Sequence, residues 1–387
     1  MGKKKKRAES EAEAEQENKV DTTRRRSTTS KAALIPTVSV AVPGSIIHNA
    51  QSLELATRLA GQIARAMTIF RIDEVVIFDN KSESGSPPEA NSDEDESGAA
   101  FLVRILRYLE TPQYLRKALF PKHNSLRFVG MLPPLDAPHH LRKHEWGPFR
   151  EVSLFSVSTY GLILRELANV IVDQVLEPGT RVTVAMGANR NLDADISRQV
   201  VSSSKPREEA GTYWGYKVRY ASNITSVRNE CHTRYSCVHS MTSLSEPFFP
   251  LPIHGFLGGY DHSIGTSEHG QIINSSDLTI PTFRHLLIAF GGLAGLEESI
   301  EEDNNLKAKN VREVFDLYLN TCPHQGSRTI RTEDIENFHN WVKMGNLILD
   351  LATNILKTGL VTLRQIEYPL LFRRGTSVQS YDPSPNT

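Results

Sequence analysis

The sequence predicts an α/β fold that is interrupted by a small all-β module. Residues 37–120 alternate strand-like and helix-like segments, which is typical of a parallel sheet covered by helices. From about residue 147 to residue 258 short strands and turns follow one another with no helix predicted between them. After residue 259 the strand–helix alternation returns. One α/β domain with an inserted β module is the simplest architecture that fits this pattern.

The first half of the α/β domain is predicted element by element. Thr37–Ser45 alternates and is rich in β-branched residues, so it is a strand that ends at a Pro-Gly turn. Ser52–Phe70 carries apolar residues at helical spacing, with Ser52 as the N-cap. Ile72–Asp79 is then a buried strand. The segment "AAFLVRILRYLETPQYLRKALF" is predicted as two helices separated at Pro112.

Shorter sequence patterns predict the β module and the second α/β segment. The segments "NVIVDQVLEPGTRVTVAM", "SRQVVSSS" and "GTYWGYKVRYAS" are predicted as strands of a module such as a five-stranded barrel. Beyond it, "HLLIAFGGLAGLEESI" is predicted as strand, glycine-rich turn and helix, and "VFDLYLN" as one more strand.

Composition narrows the class of protein. The chain has 387 residues and a net charge of −1, which hides a basic and acidic N-terminal segment with almost no apolar residues. We expect that segment, residues 1–36, to be disordered. Its "KKKKR" run is a nuclear-import signal, a hook for nucleic acid or a solubilising tail. With no signal peptide and no long apolar run, we expect a soluble intracellular protein. The three cysteines make no disulfide framework.

Three loops are the candidate functional region. They are Gly265–Gly270, Phe290–Glu297 and the polar stretch "NTCPHQGSRTIRTE" that begins at Asn320. Ligands of open α/β sheets bind beyond the carboxyl ends of strands, where loops present backbone N–H groups. Gly291 and Gly292 allow a close backbone approach, although a strand-to-helix turn needs glycine for steric reasons as well.

Several motifs together resemble the SPOUT-class RNA methyltransferases, in the eukaryotic and archaeal branch that includes an animal kinetochore-associated enzyme. They are "SVAVPGSI", "GMLPPLDAPHHLR", "LEPGTRVTV", "GTYWGYKVRYAS", "YDHSIGTSEHG", "FRHLLIAFGGLAGLE" and "NTCPHQGSRTIRTE", and the resemblance covers most of residues 37–334. It implies a trefoil-knot (alpha/beta knot) methyltransferase domain with an inserted OB-like barrel module. The implied boundaries are 37–146 and 259–387 for the methyltransferase domain and 147–258 for the module.

The resemblance also implies the methyl donor and the residues that hold it. The cofactor is S-adenosyl-L-methionine, and the residues implied to bind it are Thr266, His269, Gly270, Gly291, Gly292, Asn320, Thr321, Cys322, Gln325, Gly326, Thr329 and Ile330. His269 stands where the family usually has arginine. We therefore expect weaker cofactor binding that depends on pH, because histidine titrates near neutrality.

RNA contacts are predicted from clustered cations and aromatic residues. The candidates are Arg116, Lys117, Lys122, Arg142, Tyr213, Trp214, Lys217, Arg219 and Arg328. Aromatic rings between cations suit splayed RNA bases, but the same rings would fit the core of a β module. Arg328 and Arg331 either hold phosphate and the target base or pair with Glu333 and Asp334.

The predicted reaction is methyl transfer to RNA. By family resemblance the acceptor is a uridine of large-subunit ribosomal RNA, with N3 as one option, and its proton needs an acceptor. Glu268 and Glu333, together with Arg331, are the catalytic candidates by proximity to the motifs. No metal site is predicted, because the histidine and cysteine spacings do not match the usual zinc patterns.

The resemblance implies RNA and a second copy of the chain as partners and no membrane. We expect the nucleus, nucleolus or cytoplasm, with association to the mitotic spindle and kinetochore. The competing hypothesis is a non-catalytic RNA-binding or spindle and kinetochore scaffold that keeps the fold. Three stretches depart from the family pattern: about 152–169, about 227–256 and the chain after Asp334. We hypothesise that the two internal stretches are translated introns or errors in the gene model.

Overall fold

The computed structural model describes residues 35–79, 97–142, 145–158, 161–164, 179–187, 198–229, 259–273, 278, 280–292, 294–307, 309–321, 323 and 326. The predictions for the N-terminal tail before residue 35, for the stretch 230–258 and for the chain after Gly326 lie outside these residues. In chain order the elements are β1 (Thr37–Pro43), α1 (Leu53–Ile69), β2 (Glu74–Phe78), α2 (Gly98–Glu110), α3 (Gln113–Leu119), β3 (Phe149–Ser158), β4 (Gly161–Leu164), β5 (Arg181–Ala185), β6 (Gln199–Val201), α4 (Lys205–Ala210), β7 (Lys217–Ala221), α5 (Ile224–Asn229), β8 (His262–Gln271), β9 (His285–Phe290), α6 (Gly295–Glu302), α7 (Val311–Val314) and β10 (Leu317–Leu319).

A parallel sheet forms the centre of the molecule, as the α/β prediction requires. Its six described strands run in the order β10-β8-β9-β1-β2-β7, and every pairing between them is parallel. Side chains alternate between the two faces of β1: Val40 and Val42 pack in one apolar cluster, and Ala41 packs in the other. Both faces are therefore buried, which is typical of parallel sheets.

Helices cover the face of the parallel sheet that contains Val40 and Val42. The N-cap of the first of these helices was predicted from the sequence. Ser52 caps α1, and its Oγ accepts a hydrogen bond from the Leu55 N–H at 3.2 Å, as predicted. The buried stripe of α1 includes Leu59, Ile63 and Met67. Helix α2 ends at Glu110, just before Pro112 and the separate helix α3, so the predicted break is confirmed. No helix among the described residues is long and apolar enough to cross a membrane.

The second sheet is antiparallel and lies between Phe149 and Val201 in the chain. Its four described strands have the order β4-β3-β5-β6, and the registers run from Phe149↔Ala185 to Ser153↔Arg181 between β3 and β5. A set of short antiparallel strands agrees with the predicted all-β character. Closure into an OB-like barrel, the domain boundaries and the knot stay predictions.

One predicted strand belongs to a different sheet. The segment "GTYWGYKVRYAS" was predicted as part of the β module, and this prediction is wrong, because β7 pairs in parallel with β2 from Glu74↔Lys217 to Phe78↔Ala221. Helix α4 separates β7 from β6. The Tyr216 ring is buried in the core of the α/β domain, and its hydroxyl donates to the Leu106 carbonyl at 3.1 Å. Packing against α2 therefore places this segment in the main sheet.

Candidate functional site

Three predicted cofactor segments meet at one edge of the parallel sheet. Strand β8 lies between β9 and β10, and its register with β9 runs to Thr266↔Phe290. The chain therefore continues past the carboxyl ends of β9 and β10 beside the last residues of β8. Open α/β sheets bind ligands at this end of their strands. Gly265–Gly270 was predicted as a loop, and that is wrong, because the segment is part of β8. Below, the name cradle means residues 266–271, the turn 291–295, and residues 320–321.

The first and third cradle segments are in direct backbone contact. A Cβ on Gly270 would lie 2.2 Å from the carbonyl carbon of Leu319 and 2.5 Å from the Asn320 nitrogen, so no side chain fits there. The Asn320 N–H donates to the Gln271 carbonyl at 2.9 Å. The Asn320 side-chain amide donates to the Glu268 carbonyl at 2.8 Å. These contacts fix the start of the polar stretch against β8.

The second cradle segment is a tight glycine turn. A Cβ on Gly291 would lie 2.4 Å from the carbonyl carbon of Gly295. The Gly295 N–H closes the turn on the Gly292 carbonyl at 3.1 Å, and Gly295 has φ +84°, which disfavours other residues. A Cβ on Gly292 would be 3.1 Å from Oγ of Ser45, so the turn lies beside the carboxyl end of β1. Main chain therefore lines this part of the cradle.

The side chains of residues 266–269 differ in their surroundings. Thr266 is buried, and its hydroxyl donates to the Ala289 carbonyl at 3.0 Å, which links β8 to β9. The His269 side chain is 74% exposed, and its Nε2 lies 3.6 Å from Oε1 of the exposed Glu268. The imidazole is therefore in solvent with a carboxylate as its neighbour. Its predicted contact with the cofactor stays a prediction.

The remaining residues of the polar stretch are only partly described. Thr321 and Gly326 lie within the described ranges, and Gly326 has open space where a Cβ would stand. The predicted site residues outside the described ranges are Cys322, Gln325, Arg328, Thr329, Ile330, Arg331 and Glu333.

The described part of the cradle fits an adenosine-bearing cofactor. Gly270 packs against the backbone of Leu319 and Asn320, and Gly291 against that of Gly295 and Leu296, so these glycines fix the shape of the cradle. Backbone N–H and C=O groups at the ends of parallel strands are suited to hydrogen-bond an adenine and a ribose. Within the described ranges no group of three or more histidine, cysteine, aspartate or glutamate side chains is placed to hold a metal ion.

Glu297 is a residue of this edge that the sequence analysis did not identify. Its Oε1 accepts hydrogen bonds from Oγ of Ser267, at 2.9 Å, and from the hydroxyl of Tyr318. Burial of Tyr318 and its hydrogen bond to Glu297 raise the pKa of the phenol well above its ordinary value. An acidic residue in the first turn of a helix is common. Its sequence position therefore gave no sign of a contact with β8 and β10.

The predicted RNA-binding aromatics are mostly internal. Tyr213 is buried, and its hydroxyl donates to the Ile72 carbonyl at 2.9 Å. The prediction that its ring is a platform for bases is contradicted, because the ring packs within the α/β domain. Trp214 is half-buried, and its indole N–H donates to the Glu151 carboxylate. Its role toward RNA stays a prediction.

The predicted RNA-binding cations fall into two groups. Arg116 donates to the carbonyls of Thr111 and Leu109 at the end of α2, and Arg219 pairs with Glu74 at 3.0 Å. The guanidinium groups of these two arginines therefore have structural partners. The exposed candidates are Lys117, Lys122, Arg142 and Lys217.

A buried cluster of ion pairs around Arg181 connects the antiparallel sheet to the α/β domain. Arg181 of β5 donates to both carboxylate oxygens of Glu110, at 2.6 and 3.0 Å, and to Glu151 of β3 at 2.8 Å. Burial by itself would raise the pKa of Glu110, but the charge of Arg181 and hydrogen bonds from His139 and Arg181 lower it to about 2. Burial and the neighbouring His139 lower the pKa of His140 to about 4. The antiparallel sheet is thus held on the end of α2.

Comparisons with known proteins agree with this geometry. Residues 37–336 match a protein-family model described as "Putative RNA methyltransferase". The chain is 46% identical to the human "28S rRNA (uridine-N(3))-methyltransferase", with 77% of this chain and 75% of the human protein covered. The mouse protein of the same name is 45% identical, with 77% and 73% covered. The Drosophila melanogaster protein of that name is 41% identical, with 77% and 60% covered.

Proposed function

Because the chain belongs to the SPOUT family of RNA methyltransferases, we propose that it methylates N3 of a uridine in the RNA of the large ribosomal subunit. The methyl donor of this family is S-adenosyl-L-methionine. The observation that carries the proposal is the meeting of the end of β8, which includes Gly270, with the glycine turn after β9 and the polar residues after β10. That edge offers backbone groups to a nucleoside, and it lies within the matched residues.

The contribution of the described residues is positioning. S-adenosylmethionine, when bound, supplies a methyl carbon that is activated by a positively charged sulfur. The main chain at Gly270 and Gly291 and the fixed amide of Asn320 would hold the donor. In an in-line displacement at carbon, the alignment of the two reacting groups accounts for much of the rate. The contacts between residues 266–271 and 320 preorganise the cradle for that alignment.

A proton has to leave the uridine nitrogen during the transfer. Glu268 is exposed at the cradle and is one candidate for the acceptor, and Glu333, which lies outside the described residues, is the other. Arg331 would orient the base or a phosphate beside the donor. A general base has to come within hydrogen-bond reach of the proton in the bound complex. Substitution of Glu268 by glutamine therefore tests this role by the dependence of the rate on pH.

The finer features of the proposal rest on the family resemblance. We propose that the polar stretch from Asn320 enters a trefoil knot, that the chain acts as a homodimer, and that the inserted module is an OB-like barrel that contacts RNA. The exposed Lys117, Lys122, Arg142 and Lys217 support an RNA surface by their charge. We also propose a location in the nucleus, nucleolus or cytoplasm, with association to the mitotic spindle and kinetochore.

A second candidate is a non-catalytic RNA-binding or spindle-associated scaffold with the same fold. The observation in its favour is His269, which replaces an arginine of the family pattern and lies exposed beside Glu268. If that arginine is needed to bind the donor, the chain would keep RNA binding and lose transfer. The two candidates differ in one measurable property, which is affinity for the methyl donor.

Calorimetry with the full chain distinguishes the two candidates. We expect S-adenosylmethionine and S-adenosylhomocysteine to bind, and we expect methyl transfer to unmodified large-subunit rRNA. Absence of binding of both compounds by folded protein would overturn the enzyme proposal and favour the scaffold. A parallel binding assay with the rRNA alone then shows whether the RNA function is kept.

A further inference from the structure

We propose that the carboxylate of Glu297 interacts with the positive charge of the bound methyl donor and makes the site prefer S-adenosylmethionine over S-adenosylhomocysteine. This inference rests on the proposed function, because it assigns a role to a residue of the same site. It adds a residue that determines which form of the cofactor the site favours.

The position of Glu297 relates it to all three cradle segments. It lies in the first turn of α6, two residues after Gly295 closes the glycine turn. Its Oε1 accepts a hydrogen bond from Ser267, which belongs to the first segment. The same oxygen accepts from Tyr318, two residues before the third segment begins at Asn320. Glu297 therefore contacts the first cradle segment and closely follows the glycine turn in the chain. It is also hydrogen-bonded to a residue just before the third segment.

Because Ser267 and Tyr318 both donate to Oε1 of Glu297, the orientation of its other carboxylate oxygen, Oε2, is fixed. Both bonds are made to Oε1, so Oε2 points elsewhere. A Cβ on Gly295 would lie 2.3 Å from Oε2, so this oxygen lies against the glycine turn, where glycine leaves room for it. The result is an oriented negative charge beside the backbone of the cradle.

The charge of the ligand decides what such a carboxylate does. S-adenosylmethionine carries a positive sulfonium that S-adenosylhomocysteine lacks, whereas both compounds carry the same ammonium and carboxylate groups. A negative charge near the sulfur favours the donor over the product, since opposite charges attract and the thioether is neutral. A purely structural role of Glu297 in holding β8 against β10 would affect both compounds to the same extent.

The test compares Glu297→Gln with the wild-type chain by calorimetry. Glutamine keeps an oxygen that accepts from Ser267 and Tyr318 and removes only the charge. We expect the dissociation constant for S-adenosylmethionine to rise about three- to tenfold, and that for S-adenosylhomocysteine to stay within about twofold. Sinefungin, which carries an amine in place of the sulfonium, should follow S-adenosylmethionine. Glu298→Gln is the matched control, because Glu298 is the next residue of α6 and is exposed.

Each outcome has one meaning. Equal weakening of both compounds by Glu297→Gln, or no change in either, overturns the inference and leaves the proposed function intact. A change of the same size in Glu298→Gln also overturns it, because the effect would then be long-range charge alone. Failure of the wild-type chain to bind either compound instead overturns the proposed function. Circular dichroism and thermal unfolding of each variant confirm that the compared proteins are folded.

Discussion

Replacing Arg181 by methionine should destabilise the attachment of the antiparallel sheet to the α/β domain. Methionine keeps much of the length of the arginine stem and removes the guanidinium. Four hydrogen bonds from the guanidinium are lost, two to Glu110, one to Glu151 and one to the Thr111 hydroxyl. The side chains of these carboxylates are only 11% and 4% exposed, so both negative charges would stay largely buried without their partner.

The loss of unfolding free energy in Arg181→Met follows from measured buried ion pairs and from the pKa of Glu110. Removing one partner of a buried ion pair costs about 3 to 5 kcal/mol in measured cases. Burial raises the pKa of Glu110, but Arg181 and His139 together lower it from 4.5 to about 2. At about 1.4 kcal/mol for each pKa unit this corresponds to about 3 kcal/mol, and the charge of Arg181 is the largest favourable cause. We therefore expect Arg181→Met to lower the free energy of unfolding by about 3 kcal/mol at pH 7.

The pH dependence of the pair has a definite sign. Because the folded pKa of Glu110 is lower than the unfolded pKa, the stabilisation is fully present above about pH 4.5 and is lost as the pH falls toward about 2. The difference in stability between the wild-type chain and Glu110→Gln should therefore be constant at neutral pH and shrink in that acidic range. Protonation of His140 acts in the same direction at higher pH, because its pKa is lowered from 6.5 to about 4.

Urea unfolding of the full chain, followed by tryptophan fluorescence, measures the effect. Trp214 donates to Glu151, so it lies within the ion-pair cluster and its fluorescence reports on that region. The single variants Arg181→Met and Glu110→Gln and their double variant form a cycle, and we expect a coupling energy of about 2 kcal/mol. A loss of less than about 0.5 kcal/mol in Arg181→Met, or strictly additive effects, would refute the reasoning.

Three further predictions concern the cradle and the RNA surface. Gly291→Ala should weaken S-adenosylhomocysteine binding at least about tenfold, because its Cβ meets backbone at 2.4 Å, whereas Gly130→Ala, with open space around it, should change nothing in the same calorimetry. His269→Arg, which restores the residue of the family pattern, should tighten cofactor binding about threefold in the same calorimetry, and an unchanged affinity would contradict the importance of this position. Lys117→Ala and Lys217→Ala should each lower the slope of log affinity for RNA against log salt by about 0.7 regardless of RNA sequence, and an unchanged slope would exclude phosphate contacts there.

Elements with local signals could be predicted from the sequence. The N-cap at Ser52, the break at Pro112 and the strands β1 and β2 each depend on residues a few positions apart. Neighbouring residues fix the hydrogen bonds and the apolar stripe of such elements. The glycine turn from Gly291 to Gly295 was identified for the same reason, since its composition and its place after a strand are local properties.

The errors concern contacts between distant residues. The alternation of Lys217–Ala221 is the same whether the strand joins a β module or the main sheet, and its partner Glu74 lies 143 positions before Lys217. Arg219 was predicted to bind RNA, but it pairs with the same Glu74, 145 positions away. Glu297 was missed because Ser267 and Tyr318 come close to it only after the sheet has formed. These three contacts all depend on the order of the strands in the sheet, which a single sequence does not show.

Methyl transfer to a uridine nitrogen can be measured on the RNA product itself. Purified chain is incubated with S-adenosylmethionine and unmodified large-subunit rRNA, and 3-methyluridine is quantified by mass spectrometry of the digested nucleosides, with Gly291→Ala as the comparison. We predict that 3-methyluridine accumulates only when the donor and the wild-type chain are both present. RNA that stays unmethylated although the folded chain binds both donor and rRNA would contradict the account, and so would a methyl group found on another atom.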